Sequence, residues 1–235
     1  MNSLDLGIVH FLNQYAGACH AFDTLIIAWA YNNLLKAAPI LLVTFGLWFE
    51  RGDTTEMEDR RLAIIALLAA ACLAAAISVF LSHALPARPR PLVDPRLGFV
   101  LPYGMEQTGW ERVSSMPSDH AAMYFALAGG LYFASRFWGA LALAYAAVFI
   151  CFPRAYLGLH YPSDLAAGAA IGLAFAWLMQ LPFMRSRVWR PVLDWEASKP
   201  HFFYPPMLLL AIIIGDLFQD ARSFLHILTT TLPNG

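Results

Sequence analysis

The sequence predicts an all-α fold: one integral membrane domain over residues 1–235, a polytopic bundle of about six transmembrane helices. Two observations carry this. The chain is 59% hydrophobic and only 13% charged, against about 25% charged residues in an ordinary soluble domain. The apolar residues also collect into several runs near the ~20 residues a membrane helix needs. The net charge of −1, with no basic run, gives nothing that would track a nucleic-acid backbone. The N-terminus carries no positively charged stretch, so a cleaved signal is not expected. The three cysteines are scattered without metal-ligand spacing, and Cys72 and Cys151 lie inside apolar runs, where a small hydrophobe is the ordinary reading.

Residues 5–18 place apolar groups at roughly helical intervals and predict a short helix on the membrane surface. The first span is expected over 23–49, interrupted by Asn32, Asn33 and Lys36. Residues 51–61 read as a charged loop, and the Ala-, Leu- and Ile-rich run 62–83 as the second span. A proline-dense loop covers 84–118; loops of that length in compact proteins are usually functional or disordered. The third and fourth spans are expected over 119–135 and 137–153, joined by a tight turn at Arg136. Pro162 opens the fifth, 162–183, because proline suits the first helical turn. There the small residues Ala166, Gly168, Ala169 and Gly172 predict close helix packing. A charged stretch, 185–200, precedes a last apolar run, 202–229, which Asp216, Asp220 and Arg222 interrupt. Five spans plus a surface helix is the alternative count.

Lysine and arginine divide the loops. Arg51, Arg60, Arg61, Arg136, Arg185, Arg187, Arg190 and Lys199 fall on one side, and Arg88, Arg90, Arg96, Arg112 and Arg154 on the other. Positive loops stay cytoplasmic. The 84–118 and 154–161 loops therefore face outward together.

Three stretches on that outer side carry chemistry. The segment Arg154…His160-x-x-x-Asp164 offers a histidine nucleophile for phosphorus, a carboxylate to fix its tautomer and a guanidinium to hold phosphate oxygens. The same residues also read as an interfacial histidine near a helix start or as a metal pair. Pro117-Ser118-Asp119-His120 opens the third span. Its backbone N–H groups and the Ser118 hydroxyl can bind an anion, and His120 can act as acid and base. The sequence reads equally as a helix cap. Arg90-Pro91 lies in the proline-dense loop. Lys36, near mid-span, either snorkels or faces a polar interior.

Together the stretches resemble the type 2 phosphatidic acid phosphatase family, which includes the vanadium haloperoxidases. Its pattern is Lys-x6-Arg-Pro, Pro-Ser-Gly-His and Ser-Arg-x5-His-x3-Asp. Here Asp119 stands in the glycine place, Pro153 in the serine place and His83 in the lysine place; the register through Arg88-Pro89 puts Leu81 there instead. The likeness covers residues 60–183. With Tyr156-Leu157-Gly158 and His160-Tyr161-Pro162, it is greatest to the bacterial undecaprenyl pyrophosphate phosphatases.

The resemblance implies His160 as nucleophile, Asp164 as its partner, His120 as acid, and Arg90, Ser118 and Arg154 as phosphate ligands. It implies that no metal and no cofactor is needed. His83 and Asp119 join the expected phosphate-binding set by position, with Lys36 and Arg88 as candidate head-group contacts. The expected activity is hydrolysis of a lipid (di)phosphate, foremost undecaprenyl diphosphate, through a phosphohistidine in the bacterial inner membrane with the site facing outward. The alternatives are a phosphatase for phosphatidylglycerophosphate, phosphatidic acid or lipid A, a phosphotransferase with a polyprenyl diphosphate donor, and a lipid-binding or translocating protein. The expected partners are the lipid substrate and the bilayer, with no nucleic acid; the sequence leaves the oligomeric state open.

Overall fold

A computed structural model describes residues 3–106 and 114–216. Among the described residues it is all helix and turn, with no strand. Helix α1, Ser3–Asn13, turns Asp5 and Val9, one helical turn apart, toward the protein. Helices α2, His20–Tyr31, and α3, Asn33–Phe49, form a bent pair with 61° between them. Asn32 makes the break: in extended conformation it ends α2, while its side-chain oxygen accepts from Leu35 N at 3.0 Å and caps α3. The single span expected over 23–49 is thus two helices.

Helix α4, Thr54–Ala84, absorbs most of the segment read as a charged loop over 51–61. Asp53 caps it, accepting from Thr54 N at 2.8 Å, and Glu56 adds a carboxylate to its positive first turn. Charged residues are compatible with helix wherever the helix runs out of the apolar layer. The second charged stretch, 185–200, is likewise helical. Helix α9, Pro182–Met184, runs through a π-helical turn, Arg185–Trp189, into α10, Arg190–Ser198. These two charged segments meet. Arg61 pairs with Glu196 at 3.3 Å, Arg185 with Asp59 at 2.6 Å, and Arg190 with Glu58 at 2.6 Å. Helix α11, Pro200–Gly215, follows; the rest of the run expected to 229, with Asp220 and Arg222, lies outside the described residues.

The centre of the bundle is α5, Asp119–Ala134, which α4 and α8 flank. Its residues are buried around most of their circumference, as a helix apolar on every side requires. At Ser135, one residue before the expected turn, the chain enters α6, Arg136–Tyr145. This helix continues through a π-helical stretch, Ala146–Cys151, into α7, Phe152–Tyr156. Helix α8, Pro162–Met179, packs on α5 through Gly168 and Gly172. A Cβ on Gly168 would lie 2.3 Å from the Ser118 carbonyl oxygen, and one on Gly172 2.2 Å from that of Ala122. Only glycine allows this approach, and in a membrane such packing replaces the hydrophobic force as the glue between helices.

Among the described residues three helices are long and apolar enough to cross a membrane: α4, the continuous Arg136–Tyr156 helix, and α8. The bent α2–α3 pair makes a fourth if it counts as one span. The expected count of six is not confirmed among the described residues, where α5 and α11 are each 16 residues long. Large apolar side chains face outward along the bundle, including Leu42, Phe80, Leu141, Phe149 and Trp177. Such an apolar exterior suits lipid, so this is a membrane protein.

Gly172→Val is expected to overpack the α5–α8 contact and cost about 1–3 kcal/mol or more. Gly46→Ala, with open space around it, is the control. Thermal melts in detergent should show a lower midpoint for the first and an unchanged or higher one for the second.

Candidate active site

The start of α5, helix α7, the turn before α8, the proline-dense loop and Lys36 of α3 bring together a buried polar site. Ser118 caps α5: its hydroxyl oxygen accepts from Ala121 N at 3.3 Å, and its own N–H donates to the Asp164 carbonyl at 3.1 Å. The starts of α5 and α8 are thereby tied backbone to backbone. Between α7 and α8 the chain makes a tight turn at Gly158, whose φ of +65° few side-chain-bearing residues adopt. Leu159 N and His160 N both donate to the Arg154 carbonyl, at 3.0 and 3.3 Å. The proline-dense loop docks here as well, with Leu92 N donating to the Gly158 carbonyl at 3.0 Å.

Two histidines meet three cations in this space. His160 Nδ1 lies 2.7 Å from the Ser115 carbonyl oxygen. A carbonyl only accepts, so Nδ1 carries the hydrogen and Nε2 keeps its lone pair. Arg90 Nη1 stands 3.4 Å from that Nε2 and donates to the Leu159 carbonyl at 2.8 Å. Burial first, and then the Arg90 and Arg154 charges, push the His160 imidazole well below its ordinary range. Burial and the neighbouring Arg154 bring Arg90 down to about 10, which leaves it charged. His120 Nδ1 donates to Asp119 Oδ1 at 2.9 Å, which again leaves Nε2 with its lone pair as an acceptor. Arg154 Nη2 is in close contact with His120 Nε2, and Lys36 Nζ lies 3.5 Å from it. Arg154 Nε is buried with no hydrogen-bond partner among the described residues. The arrangement gathers positive charge around two imidazole Nε2 lone pairs in one enclosure, a combination able to bind an anion and to supply a nucleophile.

Several expected residues take other places. Asp164 is not hydrogen-bonded to His160. The i, i+4 rule needs both residues in a helix, and α8 begins only at Pro162. Asp164 instead accepts from Tyr161 N at 2.8 Å and pairs with Arg88 at 2.5 Å. Arg88 is therefore not a free head-group contact. It also pairs with Asp5 at 2.8 Å, donates to Ser163 Oγ at 2.8 Å, and lies 4.0 Å above the Tyr161 ring. Asp119, expected among the phosphate ligands, holds His120 instead, and its charge would repel a phosphate. His83, expected in the lysine place, is exposed at the end of α4 with Nδ1 2.8 Å from the Val79 carbonyl of its own helix.

Two participants escape sequence reasoning. Ser115 acts through its backbone carbonyl, which no side-chain pattern signals. Asp5 reaches from α1 to the start of α8, accepting from Ser163 N at 2.9 Å and Ser163 Oγ at 2.6 Å. Burial alone would raise its pKa, but the Ser163 and Arg88 hydrogen bonds outweigh burial and hold it below 3.8. A lone carboxylate in the apolar α1 was its only sequence signal.

The geometry thus defines a class: a helical membrane protein with a buried enclosure of two histidines and three cationic side chains. Residues 63–187 match the family described as the PAP2 superfamily, and the chain belongs to it. It is 27% identical over 177 residues to the protein named "Putative undecaprenyl-diphosphatase YbjG" of Escherichia coli (strain K12), a match covering 74% of this chain and 79% of that relative. No solved structure matches the chain.

The docked loop makes the site's surroundings pH-sensitive. Asp94 accepts from Arg96 at 2.8 and 2.7 Å and from Tyr161 Oη at 3.0 Å. The Arg96 hydrogen bonds, chiefly, bring Asp94 down from 3.8 to about 2. A lowered folded-state pKa gives stability that is complete above the unfolded value and lost as pH falls through the folded one. Melting midpoints of wild type and Asp94→Asn should therefore differ at about pH 6 and converge toward about pH 2. A constant gap would refute the assignment.

Proposed function

We propose that this protein is a metal-independent membrane lipid phosphatase that converts undecaprenyl diphosphate to undecaprenyl phosphate. The observation that carries the reading is the pair of imidazole Nε2 atoms, each left with its lone pair by an Nδ1 hydrogen bond and each facing an arginine. Family membership and the name of the E. coli relative favour the substrate. The bacterial relative is in keeping with a bacterial inner membrane, and the lysine and arginine distribution favours its outer face for the site.

His160 Nε2 attacks the terminal phosphorus, forming a P–N bond while the P–O bond to the leaving phosphate breaks. Arg90 and Arg154 spread their charge over the equatorial oxygens, where most phosphoryl-transfer catalysis lies. His120, protonated at Nε2 as the anion enters, gives that proton to the leaving oxygen. It then takes a proton from the water that attacks the phosphohistidine, and inorganic phosphate leaves with His160 regenerated. Asp119 stabilises the His120 imidazolium through Nδ1, and Asp164 acts one step removed by fixing the start of α8 and the 158–161 turn. The cationic side chains supply the charge that a metal supplies elsewhere.

Phosphate release should be measured in detergent over a panel of polyprenyl diphosphate, phosphatidylglycerophosphate, phosphatidic acid and lipid A. His160→Ala should abolish release; full activity in that variant would overturn the reading. Asp119→Asn should lower kcat by about 10²-fold or more, the low end of what general acid–base catalysis contributes. EDTA should leave the wild-type rate unchanged.

A further inference from the structure

Lys36 is a buried ammonium delivered to the site from outside the three stretches that announce it. The break at Asn32 puts it there. Because α2 stops at Tyr31 and α3 leaves at 61°, the last-turn carbonyl of Ala30 turns to Lys36 Nζ, which donates to it at 2.9 Å. A helix C-terminus carries partial negative charge and holds a cation well. An ammonium has three donors. Ala30 takes one and His120 Nε2, at 3.5 Å, faces a second. The side-chain contacts of Lys36 are to a carbonyl and an imidazole, and the Asp119 and Asp216 carboxylates act on it through space. A buried charge left that way is costly until an anion arrives.

Its position within the site is one-sided. Arg90 Nη1 stands 3.4 Å from Nε2 of the nucleophile, His160, whereas Lys36 Nζ stands 3.5 Å from Nε2 of His120. In an in-line displacement the leaving oxygen lies opposite the nucleophile. The group beside His120 is therefore the bridging oxygen and whatever follows it. In a diphosphate a second anionic phosphate follows; in a phosphate monoester only carbon does.

We propose that Lys36 is a specificity-determining ligand for the leaving phosphate, which makes this site prefer diphosphate over monophosphate head groups. The proposal deepens the phosphatase reading and rests on it for the direction of attack. Lys36→Gln keeps a donor for the Ala30 carbonyl and removes the charge; Lys36→Arg keeps the charge.

Binding of methylenediphosphonate and of inorganic phosphate is measured by calorimetry on the detergent-purified protein, alongside phosphate release from farnesyl diphosphate. Lys36→Gln should weaken diphosphonate binding about ten- to hundredfold, the worth of a charged hydrogen bond, and phosphate binding less than about threefold. Lys36→Arg should keep the preference. Equal losses for both anions, no loss, or a folded Arg variant as impaired as the Gln variant would overturn the proposal, as would a wild type that binds neither anion. A wild type that shows the binding preference but releases no phosphate from any lipid would instead sink the phosphatase reading. Matching melting midpoints for the variants and wild type separate loss of the ligand from loss of the fold.

Discussion

The close approach of α8 to α5 is the constraint on which the rest depends. Gly168 brings α8 against the Ser118 carbonyl, and one turn earlier Ser118 N donates to the carbonyl of Asp164. Two helix starts are thereby locked together with no side chain between them. His120 follows one start within two residues, and His160 precedes the other. The separation of the two imidazoles is therefore set by backbone contact, the least compressible spacing available to a protein. In a lipid environment, where apolar burial drives no association between helices, small residues at such a crossing are the available means of fixing it.

A ring of carboxylates then holds the cationic site without entering it. Asp164 and Asp5 share Arg88, Asp94 binds Arg96 and the Tyr161 hydroxyl, and Asp119 holds His120. The division is physically necessary. A carboxylate facing the anion would oppose its binding, whereas one placed behind a histidine or a supporting arginine orients it. Arg88 and Arg90, two residues apart on an extended segment, illustrate the separation. One is consumed as a strut between α1, the proline-dense loop and α8, and the other faces His160. Lys36 is carried by the other device in the fold, the broken α2–α3 pair, which places a last-turn carbonyl and an ammonium deep in the bundle together.

The charged segments 51–61 and 185–200 show why the reading of the chain as loops and spans was only partly right. Charge marks where a helix leaves the apolar layer, but it does not end the helix, since a cap at Asp53 and tertiary ion pairs between α4 and α10 sustain it in water. The spacing His160–Asp164 failed for a related reason. An i, i+4 rule presupposes a helix that begins before the first residue, and Pro162 starts α8 two residues later.

The sequence alone determined the all-α membrane class, because composition and apolar run length depend on no tertiary contact. It also pointed to the family, and it singled out Arg90, His120, Arg154 and His160, which the structure brings together. The tertiary structure decided which atoms meet. It gave His160 the Ser115 carbonyl in place of Asp164, turned Asp119 and Arg88 into supports, left His83 outside and brought Lys36 in. Those outcomes depend on a helix break at Asn32, a glycine crossing and backbone carbonyls, and their effect appears only once distant segments share one space.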